Sequence, residues 1–371
     1  MTPIFRAYLG VALGLMLVFA GMLAAFNRFM DPFDYYWSPT VPGINAVKVK
    51  ARRYERYVKP DILQRLRPAT VILGNSIAEI GFDPEGPALR ERQAYNDGLL
   101  GAQWPLIQCH ALYALGLPAT RHIILGLKLE AMPAVDCDRP ENAVQHASLR
   151  QRLFSTEALS ASVTTLINQD RPSMRKHTGL ILGWRGKAGP ERRFSQALRQ
   201  AGCGSAATPP AAVGDLSGLE SILRSARQRG VRVDLFFYPH HAYFMETQLA
   251  CPGRQLWALM ENAAQRVAGM NHDGLFALWS FYEYNAYTTE RVTQAPMQYW
   301  QDLTHFNWEY GEAVLEQMFA PAATPAIGVR LAPETMEETR QRFAAGREQS
   351  HREHPEMYED LRRMLAQRSA R

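Results

Sequence analysis

Hydrophobic and polar positions divide this chain into segments of different periodicity. From Ala7 to Phe26 the run AYLGVALGLMLVFAGMLAAF carries no charge. As a helix rising about 1.5 Å per residue, it matches a hydrocarbon core of about 30 Å. A cleaved signal peptide would have a shorter apolar core and a clearer small-x-small exit than MLAAF, so an uncleaved anchor is expected over residues 1–29. Arg6 precedes the run, and Asp31 and Asp34 follow Arg28, which places the N-terminus in the cytoplasm and the bulk of the chain outside. An aromatic, Pro-rich and basic connector with a first helix follows over residues 30–67.

From residue 68 the period alternates. ATVILGN, RHIILGLKLEAM and VRVDLFFYPHHAYF read as buried strands, and AYNDG as a short one. PEGPALRER, WPLIQCHALYALGL, SGLESILRSARQRG, PGRQLWALMENAAQRVAG and EYGEAVLEQMF have helical spacing or helix-start signals. Strand, helix and parallel strand at these intervals predict a doubly wound α/β sheet over residues 68–320. Its rhythm breaks between about 137 and 215, where a helical stretch and a Gly/Pro/Ser/Ala-rich loop read as an insertion lidding or widening a site. Residues 321–371 form a charged tail with two helix starts at Pro-Glu, expected to be solvated.

The 371 residues carry a formal net charge of +5 with 47% hydrophobic residues. The basic residues form no stripe, so nucleic acid is not an expected partner. No phosphate-binding glycine loop or CxxC pair is present, and no cofactor or metal is expected. Cys109 lies in an apolar helical pattern and reads as a buried thiol. Cys137, Cys203 and Cys251 lie in polar contexts where one disulfide is plausible. Four cysteines permit three complete pairings, and sequence does not choose among them.

In open α/β sheets ligands settle at the carboxyl ends of strands. Three predicted ends carry polar residues: Asn75-Ser76, Lys128 to Glu130, and His240-His241. A hydroxyl displayed on a strand-to-helix turn needs a base to take its proton and a third group to orient that base. YWQDLTHFNWEYG supplies both, with Asp302 three residues before His305, so the carboxylate can hold one ring nitrogen while the other faces outward. Trp300, Phe306 and Trp308 flank the pair as core packing or, less favoured, a sugar-stacking wall. Metal-dependent hydrolysis through His240 and His241 is disfavoured, because neighbours on a strand point to opposite faces.

This combination resembles the SGNH (GDSL-like) hydrolase superfamily, over roughly residues 68–320. It is most similar to the membrane-anchored branch that includes the D-alanyl transfer protein of teichoic acid synthesis and exopolysaccharide O-acylation proteins. VILGNSIAEIGFDPE looks like the first block, AYNDGLLGA the second, HIILGLKLEAM the third, LFFYPHHAYF the branch's Pro-x-His strand, and YWQDLTHFNWEYG the fifth. The resemblance implies a three-layer sandwich with a mostly parallel sheet. It also implies Ser76 as nucleophile, His305 as base and Asp302 as its orienter. Backbone amides of Ser76 and Gly98 would bind the oxyanion, with Asn75, Asn96, His241 and Lys128 toward the substrate. The sequence departs from the pattern in the third block, where LGLKLE lacks the usual oxyanion Asn, and after Ser76, where Ile77 replaces a common Arg. The implied function is acyl transfer at the outer face of the inner membrane, on a cell-envelope glycan or exopolysaccharide, with a membrane O-acyltransferase as partner. The alternative is a catalytically relaxed glycan-binding or scaffolding subunit.

Overall fold

The computed structural model describes residues 2–170, 176–183, 189–201, 214–251, 255–320 and 326–369. In chain order, the first elements are α1 (Pro3–Met30), α2 (Glu55–Leu66), β1 (Thr70–Leu73), α3 (Ser76–Gly81), β2 (Ala94–Asn96), α4 (Trp104–Gly116) and β3 (His122–Leu127). Then come α5 (Leu149–Leu153), α6 (Thr156–Ile167), α7 (Pro190–Gln200), α8 (Ser217–Gln228), β4 (Arg232–Phe237) and α9 (Ala242–Leu249). The last are α10 (Leu256–Met270), β5 (Phe276–Ser280), α11 (Trp308–Phe319), β6 (Val329–Arg330), α12 (Met336–Glu353) and α13 (Pro355–Ser369).

The chain divides into two compact units, one of residues 1–66 with 144–177, the other of 67–143 with 178–371. The stretch read as a single insertion is therefore shared between them. In the first unit, α1 is long and apolar enough to cross a membrane. It stops at Asp31, which takes a left-handed φ of 44° and donates its N–H back to the Asn27 carbonyl. The Asp31 carboxylate then accepts the N–H groups of Tyr35, Tyr36 and Ser38, so the connector curls back on the helix end. Lys48 Nζ adds a hydrogen bond to the Met30 carbonyl at 2.6 Å. Burial pulls the Lys48 ammonium below its usual value, opposed by Asp31 and Asp34.

The second unit is α/β, built on a six-stranded, mostly parallel sheet of order β2-β1-β3-β4-β5-β6. Strands β1 to β5 pair in parallel and are buried almost throughout, as uninterrupted apolar runs should be. Among the described strands of the sheet only β6 pairs antiparallel, against Trp279 and Ser280 of β5. The connections reverse direction at β1, which has β2 on one side and β3 on the other, so its carboxyl end lies at the switch point of the sheet. Helices α4, α8 and α10 pack on β1, β4 and β5, while α3 meets β1 and α11.

Several local expectations change. PEGPALRER forms consecutive turns, not a helix. Pro84 and Pro87 have no N–H, the Asp83 carboxylate takes the Glu85 N–H, and the Glu312 carboxylate takes that of Ala88, so no helical ladder can build. The helix after β1 is instead α3, starting at Ser76 itself. The strand read over VRVDLFFYPHHAYF is β4 and ends at Phe237, leaving His240 and His241 on the turn into α9. The tail is helical but not merely solvated. Phe343 packs against Trp257, Tyr282 and Tyr284, and Met357, Tyr358 and Leu361 are buried. Cys109 is not a free thiol: it is bonded to Cys137, with Cα atoms 5.4 Å apart. Cys251 is also disulfide-bonded, while Cys203 lies outside the described residues.

Candidate active site

The first component is the turn from β1 into α3. Gly74 has φ of 153°, and a Cβ there would overlap the Tyr238 hydroxyl, so only glycine fits. Tyr238 is buried, which pushes its phenol up, and its ring also occupies the place of a side chain at Gly126. Asn75 caps α3 by accepting the Ile77 N–H at 2.9 Å. Ser76 thus stands at the first helical position, partly exposed, beyond the end of β1. Among the described residues no acceptor meets its N–H.

The second component is a tight loop over residues 299–307. Trp300 and Phe306 pair across it, with Gln301 N–H donating to the His305 carbonyl and Asn307 N–H to that of Tyr299. At its tip the Asp302 carboxylate accepts the N–H groups of Thr304 and His305, each at 2.9 Å, and grips the His305 ring through Nδ1 at 2.8 Å. Burial would raise the Asp302 carboxyl. The adjoining His305 imidazole and these hydrogen bonds outweigh burial and hold it below the usual carboxylate range.

The two components meet. Ser76 Oγ lies 2.8 Å from His305 Nε2, across 229 residues of sequence. The approach depends on absent side chains. A Cβ at Gly311 of α11 would collide with the Gly81 carbonyl of α3, and one at Gly81 would enter the Phe306 ring. With His305 at 20% and Asp302 at 12% side-chain exposure, the hydroxyl and imidazole are reachable while the carboxylate is sheltered.

The other sequence candidates fare differently. Asn96 is fully buried and structural: its Nδ2 donates to the Ala78 and Phe82 carbonyls, and its Oδ1 accepts the Gly98 N–H at 2.9 Å. That corrects both expectations, since the Gly98 amide is engaged by Asn96 and Asn96 has no surface for substrate. Gly98 itself is required because a Cβ there would press on the Glu79 backbone. His241 is also corrected. It is fully buried, with Nδ1 accepting the Tyr243 N–H and Nε2 bonded to the Glu290 carbonyl, so neither nitrogen is open to a ligand. Burial lowers its pKa to about 4. His240 bonds the Tyr238 carbonyl and stacks on Phe244. Lys128 is half-exposed and donates to Gln103 Oε1 at 3.4 Å. Trp300 and Phe306 are core residues, with the Trp300 indole bonded to the Tyr287 carbonyl.

One neighbour escaped the sequence reading. Arg193 of α7 donates to the Gln301 carbonyl at 2.9 Å, and burial pulls its guanidinium below the usual value, opposed in part by the Asp302 charge. The α7 segment PERRFSQALRQ carries a Pro at its start and apolar Phe194 and Leu198 four apart, a signal that could have marked the helix but not its position. The cavity of about 400 Å³ lined by Phe33, Tyr54, Tyr57 and Arg152 lies in the N-terminal unit and holds none of these residues.

The chain matches no family model and none of the curated proteins. A solved structure described as a candidate platelet activating factor from Streptococcus pneumonia aligns over 74% of this chain and 92% of its own, at 14% identity and a TM-score of 0.35. That likeness is too low to place the chain in a family.

Proposed function

We propose that the protein is a membrane-anchored serine acyl-transfer enzyme of SGNH type, with its α/β unit, a three-layer sandwich in this reading, outside the inner membrane. The carrying observation is the line of contacts Ser76 Oγ to His305 Nε2 to Asp302, at 2.8 Å each. In this reading His305 removes the Ser76 proton as Oγ attacks an ester carbonyl, and Asp302 holds the ring in the required tautomer. The tetrahedral anion accepts the Ser76 N–H. Collapse expels the alcohol, which takes the proton back from His305 and leaves an acyl-serine. Water or a glycan hydroxyl, deprotonated by the same imidazole, then attacks the acyl carbon and frees Ser76. The envelope glycan, its acyl donor and a membrane O-acyltransferase partner belong to the same proposal. The extracytoplasmic placement draws support from the disulfides at Cys109–Cys137 and Cys251, which persist in oxidising compartments.

A second reading, a relaxed glycan-binding or scaffolding subunit, draws on a specific observation. The Gly98 amide is taken by Asn96, and the third-block Asn is replaced in LGLKLE. One missing oxyanion donor costs about 2.7–4 kcal/mol of transition-state stabilisation.

The test is labelling of the full chain in membranes with a serine-directed fluorophosphonate. Wild type should label and Ser76→Ala should not, while Asp302→Asn should slow turnover by on the order of 10⁴-fold, as loss of a triad carboxylate does. Equal labelling of Ser76→Ala would refute the nucleophile. Unchanged glycan modification in a Ser76→Ala strain would favour the second reading.

A further inference from the structure

Helix α6 is amphipathic the wrong way round for a water-soluble surface. Its buried positions are Ala158, Ala161, Ser162 and Thr165, all small. Its large apolar residues point outward: Leu159, Val163, Leu166 and Ile167 are 38–71% exposed. At roughly 100° of rotation per residue these four fall within about 100° of the helix surface, a continuous stripe. In water this exposure is unfavourable, by about 25 cal/mol for each Å² of apolar surface left wet. In a bilayer the pattern is the expected one, with small residues at helix–helix contacts and large ones toward lipid.

The partner of the small face lies in the same unit. Helices α5 and α6 pack against α1, and Ser162 Oγ donates to Asn27 Oδ1 at 2.7 Å while Asn27 Nδ2 donates to the Leu153 carbonyl at 2.9 Å. On α1 itself Ala20, Leu23 and Ala24 are half-covered and Asn27 is buried, at spacings of three and four, whereas Phe19 and Met22 stay about 60% exposed. The covered positions reach into the charge-free stretch Ala7–Phe26, so α6 lies beside the last turns of the apolar span. Tyr35 and Tyr36, under the Arg152 and Arg28 guanidiniums, are the residue type that sits at a membrane interface.

We propose that α6 is itself seated in the outer leaflet-facing boundary of the bilayer, with Leu159, Val163, Leu166 and Ile167 in the acyl-chain region. At 12 residues it spans about 18 Å, too short to cross, so it lies as a membrane-embedded brace on α1 that orients the unit at the lipid surface. This rests on the reading of α1 as a membrane anchor.

The test is spin labelling of the full chain in phosphatidylethanolamine/phosphatidylglycerol discs. Single cysteines are placed at Val163, Leu166 and Glu157 of α6 and at Val18 of α1; the described native cysteines Cys109, Cys137 and Cys251, all disulfide-bonded, stay unlabelled without reductant. Collisions with oxygen should exceed those with a water-soluble nickel chelate at 163, 166 and 18, and the ratio should invert at 157. Lipid-like values at 18 with water-like values at 163 and 166 would overturn the brace while leaving the anchor. Shielding of 163 and 166 from both reagents would overturn it in favour of a protein partner. Water-like values at 18 would overturn both anchor and brace.

Discussion

Gly311→Ala tests how the site is assembled without touching a reacting group. Two effects of opposite sign compete. Gly311 lies within α11, where alanine is favoured over glycine by about 0.5–1 kcal/mol. Against this, the new Cβ would overlap the Gly81 carbonyl oxygen, with the Phe82 ring 3.2 Å away. The colliding atom is backbone, so no rotamer change relieves it and α11 must move from α3. Overpacking of this kind costs about 1–3 kcal/mol, so the net expectation is a loss of up to about 2.5 kcal/mol in urea unfolding. The effect on chemistry should be larger. His305 lies just ahead of α11 and Ser76 starts α3, so a shift of about 1 Å would stretch their 2.8 Å contact past hydrogen-bond range and cost on the order of 10²-fold in fluorophosphonate labelling. Gly269→Ala in α10 is the control: nothing lies within 4 Å of its Cβ, and it should gain stability by up to about 1 kcal/mol with unchanged labelling. If Gly311→Ala is as stable and as reactive as wild type, the claim that this close approach sets the Ser–His contact is wrong.

Two further outcomes follow from the same unit. The Cys109–Cys137 bond closes 28 residues, which in the chain-entropy relation corresponds to about 3.6 kcal/mol; the Cys109→Ser/Cys137→Ser double variant should lose roughly that in denaturant unfolding, and a loss under about 1 kcal/mol would contradict the linkage. Burial holds His241 at about 4 against an ordinary 6.5, so between those values the unfolded chain takes up a proton that the folded one refuses. Stability should therefore fall as pH drops from 6.5 to 4, by up to about 3 kcal/mol. His241→Asn, which can still cap α9, should flatten that slope, and parallel pH profiles for the two proteins would rule out the buried imidazole as its source.

The apolar span, the alternation of β1, α4, β3, α8, β4 and α10, and the pairing of Asp302 with His305 were legible in the sequence because each is local. Charge-free length, a period of two or 3.6 residues, and a carboxylate three residues from an imidazole need no distant partner. FALWS of β5, a short apolar run after Gly274, is likewise a local strand signal, whereas two-residue β6 carries none. What tertiary structure alone decided was which groups meet. Cys109 sits on an apolar helix face yet bonds Cys137, because the chain after β3 returns to α4, as the Trp104 indole bonding the Pro133 carbonyl also records. His241 and Asn96 look like ligands in one dimension, but burial and backbone partners consume their polar atoms. Ser76 and His305 are 229 residues apart, and their contact exists because glycines at 81 and 311 let two backbones approach where any side chain would hold them apart.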